Sequence, residues 1–172
     1  MKNYKLLSII LIVLTTVLYT GCSSDDSDGP IDPGTVITGA EAKLTFNGAG
    51  YTNKAVTLSN GVSQYSVPDT ATIIIFSGKV DNDSLYFSII FKGNQTGAIN
   101  WNDDNGAIIY KNGTSGYSTF LGIDQGTTTI STYGGVSSKV EGNISGKLID
   151  AVTQAELNVN GTFSATRLPD IN

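Results

Sequence analysis

Val140-Glu141-Gly142-Asn143-Ile144-Ser145-Gly146-Lys147-Leu148 decides the fold. Val140, Gly142, Ile144, Gly146 and Leu148 fall on one side of an extended chain, and Glu141, Asn143, Ser145 and Lys147 on the other. Successive side chains of a strand point to opposite faces, so this alternation predicts a half-buried β-strand. Leu157 to Ala165 repeats the plan, with Leu157, Val159, Gly161, Phe163 and Ala165 inward. The short connection Asp150-Ala151-Val152-Thr153-Gln154 makes the two segments an antiparallel hairpin. Both contain Val-x-Gly-x-apolar-Ser, and an inward glycine in a strand marks either a close packing of facing layers or a bend in the sheet.

The same period runs upstream. Thr72 to Val80 and Ser84 to Lys92 are predicted strands joined by Asp81-Asn82-Asp83, with Leu85, Phe87, Ile89 and Phe91 on one face of the second. Ile73-Ile74-Ile75-Phe76 is apolar on both faces, as in a central strand. Further strands are predicted over Ala42–Phe46, Ala55–Leu58, Gln64–Val67, Ala107–Lys111, Tyr117–Leu121 and Thr127–Tyr133. Turn pairs such as Asn47-Gly48, Asn60-Gly61, Asn105-Gly106 and Gly134-Gly135 separate them. About ten short strands at this spacing predict an all-β fold, either a sandwich or a closed or partly open, lipocalin-like β-barrel; the sandwich is the favoured expectation.

Composition agrees and narrows function. Charged residues make up 15% of 172, against roughly 25% in an average soluble domain, while Gly is raised to 20. The length suits one folded domain, placed here at residues 40–172. With no His, a His-based triad and most zinc or iron sites are excluded. A net charge of −5 argues against nucleic acid as a partner.

The N-terminal residues read as an address. Lys2 and Lys5 precede an apolar run from Leu6 to Tyr19, too short for the roughly 20 residues that a spanning helix needs. Leu18-Tyr19-Thr20-Gly21-Cys22 resembles a bacterial lipobox, which makes residues 1–21 a lipoprotein signal peptide and Cys22 the acylated N-terminus. Cys22 is the one cysteine, so no disulfide is expected. Residues 22–39 form a flexible acidic linker that would average roughly 20–25 Å end to end. Its Ser23-Ser24-Asp25-Asp26-Ser27-Asp28 resembles the export signal of Bacteroidota-type lipoproteins, which implies the outward face of the outer membrane.

The C-terminal pattern Tyr133-Gly134-Gly135-Val136, Val140-Glu141-Gly142-Asn143-Ile144-Ser145-Gly146 and Val159-Asn160-Gly161-Thr162-Phe163-Ser164-Ala165-Thr166-Arg167 is similar to the end of small Bacteroidota lipoproteins of unknown function. That resemblance implies an envelope location and a β fold, and it carries over no functional residue. Asp69-Thr70-Ala71 and Asp83-Ser84-Leu85 resemble an O-glycosylation signal of the same bacterial group, which would place sugars on Thr70 and Ser84.

No catalytic residue, cofactor or metal set is expected. The hydrolase motifs Gly-x-Ser-x-Gly and Ser-x-x-Lys do not occur, and Ser145 with Lys147 fits a solvated strand face. Asn102-Asp103-Asp104-Asn105-Gly106 departs from a calcium loop at its first and twelfth positions and reads as an Asx-rich turn. Trp101 has two readings: a plug at one end of the core, or a ligand platform with Asn102, Asp103, Asp104, Tyr110 and Tyr117 that stacks on a sugar ring. The favoured function is a non-catalytic binding or adhesion module for glycan. The alternatives are a carrier whose cavity is lined by Phe87, Ile89, Phe91 and Phe163, and a structural subunit joined to another envelope protein.

Overall fold

The computed structural model describes residues 39–113 and 116–172. The leader, Cys22 and the linker as far as residue 38 lie outside the described residues. The described chain is all-β, in ten strands: β1 Ala42–Gly48, β2 Tyr51–Ser66, β3 Ala71–Val80, β4 Asp83–Lys92, β5 Gly97–Asn100, β6 Gly106–Gly113, β7 Gly116–Gly122, β8 Gly126–Tyr133, β9 Lys139–Asp150 and β10 Glu156–Arg167. The predicted hairpin is β9–β10, and its register sets Leu157 opposite Leu148 and Phe163 opposite Gly142.

Of the two expected architectures the barrel is the one formed, and the sandwich expectation is corrected. β10 pairs along all of β1, from Ala42 opposite Phe163 to Gly48 opposite Leu157, so the sheet closes on itself. β5 and β6 lie end to end, as do β7 and β8, and the two runs pair with each other and then with β9. Counted this way the ring has eight ranks and follows chain order throughout, an up-and-down meander. Bulges at Ser59/Val62 in β2 and Ile130/Thr132 in β8 supply local curvature for closure. Asn60-Gly61 is therefore part of a bulge inside one long strand, with Asn60 at φ 55°, and not the predicted turn between two strands.

The meander gives the barrel two ends. The proximal end holds Ala40, the β2–β3, β4–β5 and β8–β9 connections and the segment after Arg167. The distal end holds the β1–β2, β3–β4, β6–β7 and β9–β10 turns. Inside, Phe46, Phe76, Phe87, Phe91, Ile74, Ile89, Ile144 and Leu148 are fully buried. Phe76 stacks on Phe87 at 6.2 Å between ring centres and meets Phe163 at 6.3 Å, linking β3 to both β4 and β10.

Candidate functional site

Trp101 belongs to the interior. It sits where the β5–β6 run bends, is 4% exposed, and its Nε1 donates to Thr128 Oγ1 at 3.0 Å. Three glycines make room for the ring: a Cβ on Gly122, Gly126 or Gly146 would lie within it. Gly146 is an inward glycine of the Val140–Leu148 strand, and the glycines of the Val-x-Gly pattern, Gly142 and Gly161, are closely packed as well, against Thr129 and Phe163 and against Lys43 and Leu44. The ring is thus closed to a ligand from outside, which corrects the platform reading for this residue.

The neighbours of Trp101 are occupied by their own turn. Asn102 Oδ1 accepts from the backbone N–H of Asp104 at 2.9 Å and of Asn105 at 3.0 Å, an Asx turn as expected. Asp103 and Asp104 are exposed on that turn, apart from the outer-wall tyrosines, which lie toward the opposite ends of β4, β6 and β7. Among the described residues no group of three His, Cys, Asp or Glu is placed to hold a metal ion. Ser145 bonds Asn160 at 2.6 Å and Lys147 pairs with Glu156 at 3.0 Å, both on the outer face.

The structure does bring Tyr110 and Tyr117 together, on the outer wall near the distal end. Their ring centres are 5.7 Å apart with planes inclined by 31°. Tyr110 lies opposite Tyr86 on β4, and the three rings are 38%, 69% and 48% exposed for Tyr110, Tyr117 and Tyr86. The strand parity that sends Phe87 and Ile109 inward sends Tyr86 and Tyr110 outward. Polar side chains share the two rows: Ser77, Tyr86, Tyr110 and Thr119 in one, Lys79, Ser84, Asn112 and Tyr117 in the next. Partial desolvation of its phenol by the surrounding wall, and then the Tyr117 phenol, push the Tyr110 pKa above its ordinary value. Tyr86 was not singled out in the sequence; its register with Tyr110 depends on the β4–β6 pairing, which no local pattern states.

The two predicted modification sites differ in setting. Thr70 is exposed in the β2–β3 turn at φ 50°, with its hydroxyl donating to Asp69 O at 2.7 Å. Ser84 is half-buried in β4 between Lys79 and Asn112, so a sugar attached there would lie on the tyrosine wall.

Polar groups close the distal end from within. Lys111 Nζ lies 3.4 Å from Asp83 and 5.7 Å above the Tyr51 ring. Asp150 is buried, and its Oδ1 accepts from Thr153 N–H at 2.7 Å and Val152 N–H at 2.9 Å. The Thr153 bond first, then the Val152 bond and the Lys111 charge, hold the Asp150 carboxyl below its ordinary pKa against the opposing effect of burial.

Phe87, Ile89, Phe91 and Phe163, the expected cavity lining of a carrier, all face inward and are buried. Phe87 and Phe163 are both engaged by Phe76, and Phe91 meets Tyr133 edge-on at 6.5 Å. Compared with protein-family models, curated proteins and solved structures, the chain matches none.

Proposed function

We propose that this chain is an outer-membrane lipoprotein, acylated at Cys22 with palmitate-type chains and displayed on the cell surface, whose barrel is a non-catalytic module that binds glycan on its outer wall. The observation that carries the binding reading is the exposed set Tyr86, Tyr110 and Tyr117, the first two register partners and the third packed on Tyr110 from the next row. Tyrosine rings are large and rigid, with an apolar face for a pyranose and a hydroxyl for its polar edge. Ser84, Asn112, Thr119 and Lys79 add hydrogen-bonding groups beside the rings on the same four strands. The lipobox-like Leu18 to Cys22 and the acidic stretch after it support the anchor and the surface location. Several acyl chains would hold firmly where one holds marginally, at about 0.8 kcal/mol per buried CH₂.

A glycan array probed with the detergent-solubilised chain tests the binding. Binding to at least one polysaccharide, lost in the Tyr110→Ala, Tyr117→Ala double variant, is the expected result. An array with no signal, or a double variant that binds like the parent, contradicts it. The anchor is tested separately: Cys22→Ala should leave the membrane fraction. The closed eight-rank ring favours a carrier of a small apolar ligand as the second reading. Native mass spectrometry showing co-purified lipid would select it.

A further inference from the structure

Among the described residues, the large aliphatic side chains exposed to solvent are Val67, Val136, Val152 and Ile171. Exposed apolar residues scattered singly mean little, whereas a group of them marks a contact surface. Three of the four belong to the proximal end, and these are between 36% and 50% exposed. Val67 lies in the β2–β3 connection, Val136 in the β8–β9 connection and Ile171 in the segment after Arg167. Only Val152, in the β9–β10 turn, is distal.

Backbone bonds gather the three. Val67 N–H donates to Ile171 O at 2.9 Å, and Ser137 N–H, next to Val136, donates to Arg167 O at 2.8 Å. The carboxylates of these connections are occupied locally: Asp69 accepts from Ser66 Oγ at 2.6 Å, and Asp170 accepts from Arg167 Nη2 at 2.6 Å. The β8–β9 connection, Gly134-Gly135-Val136-Ser137-Ser138, and the β4–β5 connection, Gly93-Asn94-Gln95-Thr96, carry no charged side chain. The proximal rim is therefore apolar and uncharged at its tips, and its acids need no water to pair with.

Where the chain enters decides what this rim meets. Ala40 lies at the proximal end, and the tether from Cys22 that leads to it would average roughly 20–25 Å. A surface joined by so short a flexible tether is held at roughly millimolar effective concentration. Three side chains fall far short of the roughly 800 Å² that each partner of a stable protein pair buries, but a tethered surface needs much less. Resting this step on the Cys22 anchor proposed above, we propose that the proximal rim is a lipid-contact surface. Val67, Val136 and Ile171 enter the headgroup–acyl boundary of the bilayer that holds the anchor, and the distal end with its tyrosine wall is turned away from the lipid.

The acylated chain, reconstituted in phosphatidylcholine nanodiscs with a gadolinium chelate on some headgroups, tests this through amide relaxation. β9 alone puts roughly 35–40 Å of strand between the two ends, so the ends are read separately. Relaxation enhancement several-fold larger at Val67, Val136 and Ile171 than at Val152 is the expected result. The Val136→Ser, Ile171→Ser double variant should lose most of that difference and stay in the disc fraction. Equal enhancement at both ends, or a maximum at Val152, overturns the lipid contact and leaves the anchor standing. So does a double variant that keeps the parent pattern. A chain that never enters the disc fraction overturns the anchor and the contact together.

Discussion

The inner and outer walls of β4, β6 and β7 use aromatic residues in opposite ways. On the inside, Trp101 lies on a floor of Gly122, Gly126 and Gly146, and Phe87 is stacked on Phe76, so each ring is held on several sides. On the outside, Tyr86, Tyr110 and Tyr117 keep between 38% and 69% of their surface open, with Tyr110 packed on Tyr117 and opposite Tyr86 across the ladder. Phe87 and Tyr86, or Ile109 and Tyr110, are chain neighbours whose difference is strand parity alone. Rings on the inner wall therefore hold the fold, and rings on the outer wall are left open to solvent.

Removal of the interior ring should break the inner wall most severely. Trp101→Ala should cost about 3–5 kcal/mol in urea unfolding, the range for deleting a buried aromatic ring. Tyr110→Ala, in contrast, should stay within about 0.5 kcal/mol of the parent, as a surface substitution does. Equal costs for the two would erase the distinction between the walls.

A smaller effect sharpens the same comparison. Gly146→Ala pushes a methyl into the Trp101 ring and should cost about 1–3 kcal/mol by overpacking, with a shift in tryptophan emission. Unchanged stability and emission would mean that Trp101 does not rest on the glycine floor.

The smallest expected effect lies at the polar rim of the inner wall. The Asp150 carboxyl has a folded pKa below its unfolded value, so its stabilisation is present above the unfolded pKa of about 3.9 and is lost as pH falls through the folded one. Asp150→Asn should flatten the decline of stability below about pH 4 while costing about 1 kcal/mol or less near neutrality, because an amide oxygen can still cap the turn. Parallel pH profiles for parent and variant would show that this carboxylate is not linked to folding.

What was legible in the sequence was local. Val140–Leu148 and Leu157–Ala165 announce their faces through the period-two pattern, and the structure keeps both faces and the antiparallel pairing. Asn60-Gly61 misled because the same dipeptide serves a turn or a bulge, and β2 continues straight through it. β5 escaped notice because Gly97-Ala98-Ile99-Asn100 offers one large apolar residue in four positions. Closure into a barrel rests on β1 meeting β10 at the other end of the folded chain, a pairing that leaves no local mark. The site divided the same way. Tyr110 and Tyr117 were found because a short connection brings them together, whereas the burial of Trp101 depends on glycines from three strands.

The separation of the holding rings from those proposed to bind is tested most directly by mapping backbone and side-chain NMR shifts while a polysaccharide selected on the array is added. The account predicts shifts concentrated at Tyr86, Tyr110, Tyr117 and Asn112, with the single Trp101 indole N–H signal unmoved. Shifts centred on Trp101, or spread through Phe87, Phe91 and Phe163 in the interior, would contradict it.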